Sequence, residues 1–202
     1  MTTSAFAAPS FDDGFYTWVT ELAQRSPDAL DSAVRLWSDY GMVLFAVLML
    51  ASWWRSRGGD PARTAMALCA PLVVVSAYLV NDVVKSVFHE QRPCRTLHVV
   101  TVEACPPLGD WSFPSNHAAI AAAAATAIWL ADRRLGAAAL TAALLMGASR
   151  VWVGAHYPHD VLIGLLTGAL VAWPLTSAAR RCAPAVERLR DSRLRPLVTA
   201  SR

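Results

Sequence analysis

Residues 64–84 read TAMALCAPLVVVSAYLVNDVV. The first seventeen positions of this stretch carry no formal charge, and a helix needs about 20 mostly apolar residues to cross the hydrocarbon of a bilayer. The segment therefore reads as a membrane-spanning helix. Pro71 breaks its hydrogen-bond ladder, which is tolerated in lipid where neighbouring helices satisfy the freed carbonyl.

Four further segments have the same character. Residues 38–54 (SDYGMVLFAVLMLASWW) carry Tyr40, Trp53 and Trp54 at positions suited to interfacial belts. Residues 116–131 are short and alanine-rich, so they are expected to pack closely against neighbours rather than face lipid. Residues 135–153 and 159–176 complete the set. Composition agrees: the 202 residues are 55% hydrophobic and 16% charged, with mean hydropathy +0.36, whereas ordinary soluble domains are about 25% charged. Residues 14–36 mix Phe15, Trp18, Leu22, Leu30, Val34 and Leu36 with acids and arginines. That pattern predicts an amphipathic helix, or a pair broken at Pro27, lying on the membrane. The expected fold is an all-α membrane protein: a bundle of five transmembrane helices plus an N-terminal interfacial helix. Its parts are a tail and interfacial segment (1–36), a membrane domain (37–178) and an arginine-rich tail (179–202). The opening MTTSAFAAPS has neither a basic start nor an apolar core, so no cleavable signal peptide is expected.

Arginine placement orients the bundle. Arg55, Arg57 and Arg63, the turn with Arg133 and Arg134, and seven arginines from Arg180 to Arg202 all fall on one side. That side holds twelve basic residues against four acids, which assigns it to the cytoplasm. The N-terminus and the long 86–115 loop are then outside, as are all five histidines, on or near that surface. Lys85, Arg92, Arg95 and Arg150 gather at the same membrane ends, so an anion is expected there.

Three segments meet at that end. Lys85-SVFHEQ-Arg92-Pro93 leaves the second span, Pro114-Ser115-Asn116-His117 begins the third, and Ser149-Arg150-VWVGA-His156-YPH-Asp160 joins the fourth to the fifth. Phosphoryl transfer needs fixed cations and N–H donors around the equatorial oxygens. Lys85, Arg92 and Arg150 supply the cations, the arginines with forks matched to phosphate. Ser115 is placed to cap the third helix, whose free N–H groups form a second anion site. His156 and Asp160 are four apart, so the carboxylate can accept one imidazole N–H and leave the other nitrogen to attack phosphorus. His117 can protonate the departing oxygen and later activate water.

These residues resemble the type 2 phosphatidic acid phosphatase family, which shares its site with vanadium haloperoxidases and bacterial non-specific acid phosphatases. The family pattern KxxxxxxRP, PSGH, SRxxxxxHxxxD is matched in order across about residues 64–176, except that Asn116 stands where glycine is usual. Asparagine keeps the backbone N–H and tolerates left-handed geometry. The resemblance implies His156 as nucleophile, Asp160 as its partner and His117 as acid/base. It implies Lys85, Arg92, Ser115, Asn116, Ser149 and Arg150 as phosphate ligands, with no metal and no cofactor. The implied substrate is a lipid phosphate held in the bilayer. A polyprenyl diphosphate such as undecaprenyl diphosphate is favoured, with phosphatidylglycerol phosphate, phosphatidic acid and phosphoribosyl-polyprenyl phosphate as alternatives.

Cys94 and Cys105 share the outer loop and are expected to pair in an oxidising exterior; Cys69 and Cys182 are expected to stay reduced. His89, His98 and His159 read as solvated loop residues. The rival readings are a metal-binding protein using the outward histidines and an inactive lipid-binding relative. The tail arginines have no interleaved aromatics, so they read as facing anionic lipid rather than nucleic acid.

Overall fold

The computed structural model describes residues 11–199. The expectation about a leader in residues 1–10 and the last tail arginine, Arg202, lie outside them. Among the described residues the chain is helical throughout, with no strand: α1 (Asp13–Gln24), α2 (Asp28–Tyr40), α3 (Met42–Ser56), α4 (Pro61–Phe88), α5 (Pro93–Thr96), α6 (Asn116–Ala131), α7 (Arg133–Trp152), α8 (Pro158–Ala179) and α9 (Ala183–Arg190).

Local chemistry sets most of these boundaries. Asp60 caps α4 by accepting from the Ala62 N–H at 3.0 Å, and Pro61 occupies its first turn. Ser115 caps α6, and Asp132 caps α7 by accepting from the Arg134 and Leu135 N–H groups at 3.0 and 3.2 Å. The helical stretches of α4, α7 and α8 are long and apolar enough to cross a membrane. Leu72, Val83, Leu144 and Leu170 on them are exposed, as lipid-facing side chains would be.

The first expected span differs from its sequence reading. Its residues fall in two helices: α2 meets α3 at 53°, and the two together pass the same test of length and apolarity, as a broken span or a re-entrant loop. The bend falls at Gly41, where an added Cβ would press on Trp37 and on Met146 of α7. Residues 28–40 thus belong to this pair. The break at Pro27 leaves α1 as a separate helix, which buries Tyr16, Thr20 and Ala23 against the bundle. The arginine-rich tail also folds. It forms α9 and returns to the α3–α4 turn, where Trp53 Nε1 donates to Leu197 O (2.9 Å) and Gly58 N to Val198 O (3.0 Å).

α6 is the axis. Its 16 residues are few for a span, but eleven are buried, so it is enclosed by α4, α7 and α8. Alanine favours the helix, and its small side chains let other backbones come close. On α8, Gly164 and Gly168 face this surface one turn apart. A Cβ on Gly168 would overlap the Ala119 carbonyl, and one on Gly164 would meet the Ser115 carbonyl. Gly168→Leu is therefore expected to destabilise the bundle by more than about 2 kcal/mol, read as a lower thermal midpoint in detergent. Gly14→Ala, at a position with nothing within 4 Å, serves as the neutral control; equal midpoints would remove this contact from its place in the fold.

Candidate active site

The α7–α8 connection is a five-residue turn, and its shape comes from backbone bonds to the end of α7. Ala155 N and His156 N both donate to the Arg150 carbonyl, at 3.0 and 3.2 Å. Gly154 turns the chain with φ +84°, where a Cβ would also overlap Thr101. Tyr16 of α1 donates its hydroxyl to the Gly154 carbonyl (2.9 Å), pinning the turn from outside. Pro158 then opens α8.

His156 is 2% exposed. Its Nε2 lies 2.9 Å from Arg92 Nη1 and its Nδ1 3.4 Å from Asp160 Oδ2. A guanidinium only donates, so Nε2 carries the lone pair and Nδ1 the proton, directed at the carboxylate. Burial, followed by the nearby Arg92 charge, pushes the His156 pKa below its usual value, so the ring is neutral. Asp160 is fully buried and immobilised. Its Oδ2 accepts from Tyr157 N at 2.9 Å and from the Ser112 hydroxyl. The carboxylate that orients His156 thus also caps α8.

The α6 start meets this centre directly, because Ser115 N donates to the Asp160 carbonyl at 3.0 Å. Ser115 Oγ accepts from Ala118 N at 3.5 Å. Asn116 Oδ1 accepts from Asn81 Nδ2 (2.7 Å), tying α6 to α4. His117 is half-buried, and among the described residues no hydrogen bond holds its ring.

The three cations are all buried, and each is engaged by the loop that precedes α6. Lys85 Nζ donates to the carbonyls of Trp111 (2.8 Å) and Ser112 (3.3 Å). Arg92 donates to Ala155 O at 2.8 Å and pairs with Asp110 Oδ1 at 2.9 Å. Arg150 pairs with Glu103 Oε1 at 3.3 Å and donates to the Ser38 hydroxyl; its Nε is buried with no hydrogen-bond partner among the described residues. Cys94 and Cys105 are disulfide-bonded, closing the loop that carries Glu103. Ser149 differs from the rest of the expected cradle: its hydroxyl donates to Met146 O within α7 (2.7 Å).

Sequence reading overlooked Ser38, Asn81, Glu103, Asp110 and Ser112, since single loop acids and serines carry no pattern that separates them from solvated residues. It also misread His159. His89 and His98 are exposed, but His159 lies in the first turn of α8, with Nδ1 3.0 Å from Asp12 and Nε2 3.1 Å from Glu90. Glu90, His159 and Asp160 form the one grouping among the described residues with metal-ligand spacing. Both His159 nitrogens face carboxylates there, the geometry of an ion-pair clasp joining α1, α8 and the α4 exit.

A helical membrane bundle that collects two histidines, an aspartate and three buried cations at one end defines a membrane phosphatase. Comparison with known proteins agrees. The sequence pattern of the PAP2 superfamily matches residues 65–183. Undecaprenyl-diphosphatase BcrC of Bacillus subtilis (strain 168) is 32% identical over 146 residues, 71% of this chain and 72% of that protein. Among solved structures, Aquifex aeolicus LpxE superposes with TM-score 0.58 at 23% identity, covering 88% of this chain and 99% of that one. The PAP2-type phosphatidylglycerolphosphate phosphatase of Bacillus subtilis superposes with TM-score 0.54 at 19% identity, covering 85% and 87%. The chain belongs to the PAP2 superfamily and is a membrane lipid phosphatase.

Because Arg150 is buried beside Glu103, removing either partner strands a charge, at a cost of about 3–5 kcal/mol. Thermal unfolding of Glu103→Ala, Arg150→Ala and the double variant is expected to give a coupling of at least about 1 kcal/mol. Additive losses would show that the pair does not interact.

Proposed function

We propose that the protein removes the terminal phosphate of a polyprenyl diphosphate, of the undecaprenyl diphosphate kind, at the extracytoplasmic face through a phosphohistidine at His156. The observation that carries this reading is the lone pair of His156 Nε2, aimed at a guanidinium 2.9 Å away with Asp160 behind Nδ1. The similarity to an undecaprenyl-diphosphatase supports the substrate class.

In the first step Nε2 attacks the terminal phosphorus while the bond from that phosphorus to the bridging oxygen breaks. Arg92 turns from Nε2 to the phosphate oxygens. Lys85, Arg150 and the N–H groups of Ser115 and Asn116 take the remaining negative charge. Ser149, with its hydroxyl occupied by Met146, shapes the α7 turn that carries Arg150. His117 protonates the bridging oxygen, so lipid monophosphate leaves. Asp160 offsets the positive charge that the phosphorylated imidazole acquires. In the second step His117 removes a proton from water, the resulting hydroxide attacks phosphorus, and the N–P bond breaks. Orthophosphate departs and neutral His156 is restored.

The proposed topology has five crossings, with α2–α3 as a bent first span and α6 as a short, enclosed third. The site then opens outward and the C-terminus is cytoplasmic, in keeping with the arginine distribution.

The test is phosphate release from a panel of lipid phosphates and diphosphates by detergent-purified protein. His156→Ala is expected to abolish turnover and His117→Ala to reduce it by at least about 100-fold, with vanadate inhibiting the wild type. Wild-type rates in both variants would overturn the mechanism, and a monophosphate turned over faster than every diphosphate would overturn the substrate assignment. For orientation, a membrane-impermeant thiol reagent should label Cys182, which is exposed, only after cells carrying Cys69→Ala protein are opened. Labelling of intact cells would reverse the topology.

A further inference from the structure

At the end of the bundle opposite His156 and His117, five arginines surround one cavity of about 420 Å³: Arg55, Arg63, Arg133, Arg134 and Arg180, with Asp132 among them. They come from four separate places in the chain, namely the end of α3, the first turn of α4, the start of α7 and the residue after α8. The sixteen residues of α6 separate this cavity from the candidate active site, roughly 24 Å at 1.5 Å per residue.

The charges do not balance within the protein. Asp132 is the one carboxylate lining the cavity. It pairs with Arg55 at 2.7 Å and already accepts two α7 N–H groups. Arg63 reaches Asp60 only at 4.0 Å. The Arg133 guanidinium lies over the Trp129 ring at 4.6 Å, and among the described residues no ion pair engages Arg133, Arg134 or Arg180. Helix stability does not account for this placement. Arg133 and Arg134 open α7, where the partial positive charge of the helix end disfavours cations. The preference for arginine on one membrane side accounts for the side, not for the convergence; Arg188 and Arg193 lie on the same side, exposed and outside the cavity.

We propose that this cavity is a binding site for a phosphate group, supplied by the head group of an anionic phospholipid in the leaflet opposite the active site. Guanidinium forks match phosphate oxygens. The tryptophans at this end favour a lipid over a soluble phosphate. Trp53 and Trp54, with Arg57 stacked 5.0 and 3.5 Å from their ring centres, belong to the same end of the bundle as Trp129. Tryptophans in such numbers mark the head-group layer. A bound phosphate would draw α3, α4, α7 and α8 together, so the ligand stabilises the bundle. This inference is independent of the catalytic mechanism proposed above.

The test uses the full-length chain in neutral detergent with phosphatidylcholine, with and without phosphatidylglycerol. Phosphatidylglycerol is expected to raise the thermal midpoint saturably, by about 4 °C or more. The rise should vanish in the Arg134→Gln/Arg180→Gln double variant and persist in Arg188→Gln/Arg193→Gln. An equal rise in all three proteins would mean diffuse attraction to basic surface and overturn the proposal. Orthophosphate without anionic lipid forms the second arm. Protection lost in Arg134→Gln/Arg180→Gln would keep the cavity as a phosphate site and name the soluble source. Protection unchanged in that variant, with no effect of phosphatidylglycerol, would place the phosphate elsewhere and overturn the proposal. Native mass spectrometry of the wild type guards against a variant that fails to fold. One retained phosphatidylglycerol per chain is expected, and release as easy as that of phosphatidylcholine overturns the site.

Discussion

The backbones of α6 and α8 lie so close at Gly164 and Gly168 that neither glycine has room for a side chain. This approach governs the rest of the molecule. It is possible only because α6 presents alanines there and α8 presents hydrogen atoms, and in lipid such close packing replaces the hydrophobic drive that joins helices in water. Its upper end is where Ser115 N donates to the Asp160 carbonyl. The same contact that joins the two helices therefore sets the start of α6 beside the carboxylate that orients His156. Packing and chemistry share one piece of geometry.

A second constraint follows from charge. Lys85, Arg92 and Arg150 are buried at one membrane end, where unsatisfied cations are expensive. The loop that precedes α6 satisfies them: carbonyls of Trp111 and Ser112 for Lys85, Asp110 for Arg92, Glu103 for Arg150. In the proposed mechanism a phosphate entering the site would compete with these carbonyls and carboxylates for the same donors. The loop, closed by the Cys94–Cys105 bond, is thus part of the electrostatics of the site. The two ends of the bundle are unlike in this respect. At the far end the arginines lining the cavity outnumber the acids.

Much of this was legible in the chain. Hydropathy located α4, α7 and α8, and the alanine run foretold an enclosed helix. The ordered pattern around Lys85, Ser115 and Arg150 brought together the residues that the structure places at one end. Other features were not legible, for physical reasons. The α2–α3 bend falls at Gly41, packed against Trp37 and Met146 of α7, a contact that hydropathy does not register. His159 resembles any loop histidine until Asp12 and Glu90, 147 and 69 residues away, close on it. Ser149 matches a motif, yet its hydroxyl turns back to its own helix.

Helix pattern, membrane character and the candidate site residues are read from the order of residues, because burial in lipid and motif spacing are properties of short stretches. The partner of each charge, the tautomer of His156 and the two opposed cationic ends became visible only in the folded bundle. They arise from contacts between residues distant in the chain, and such contacts exist only once α6 has drawn its neighbours around it.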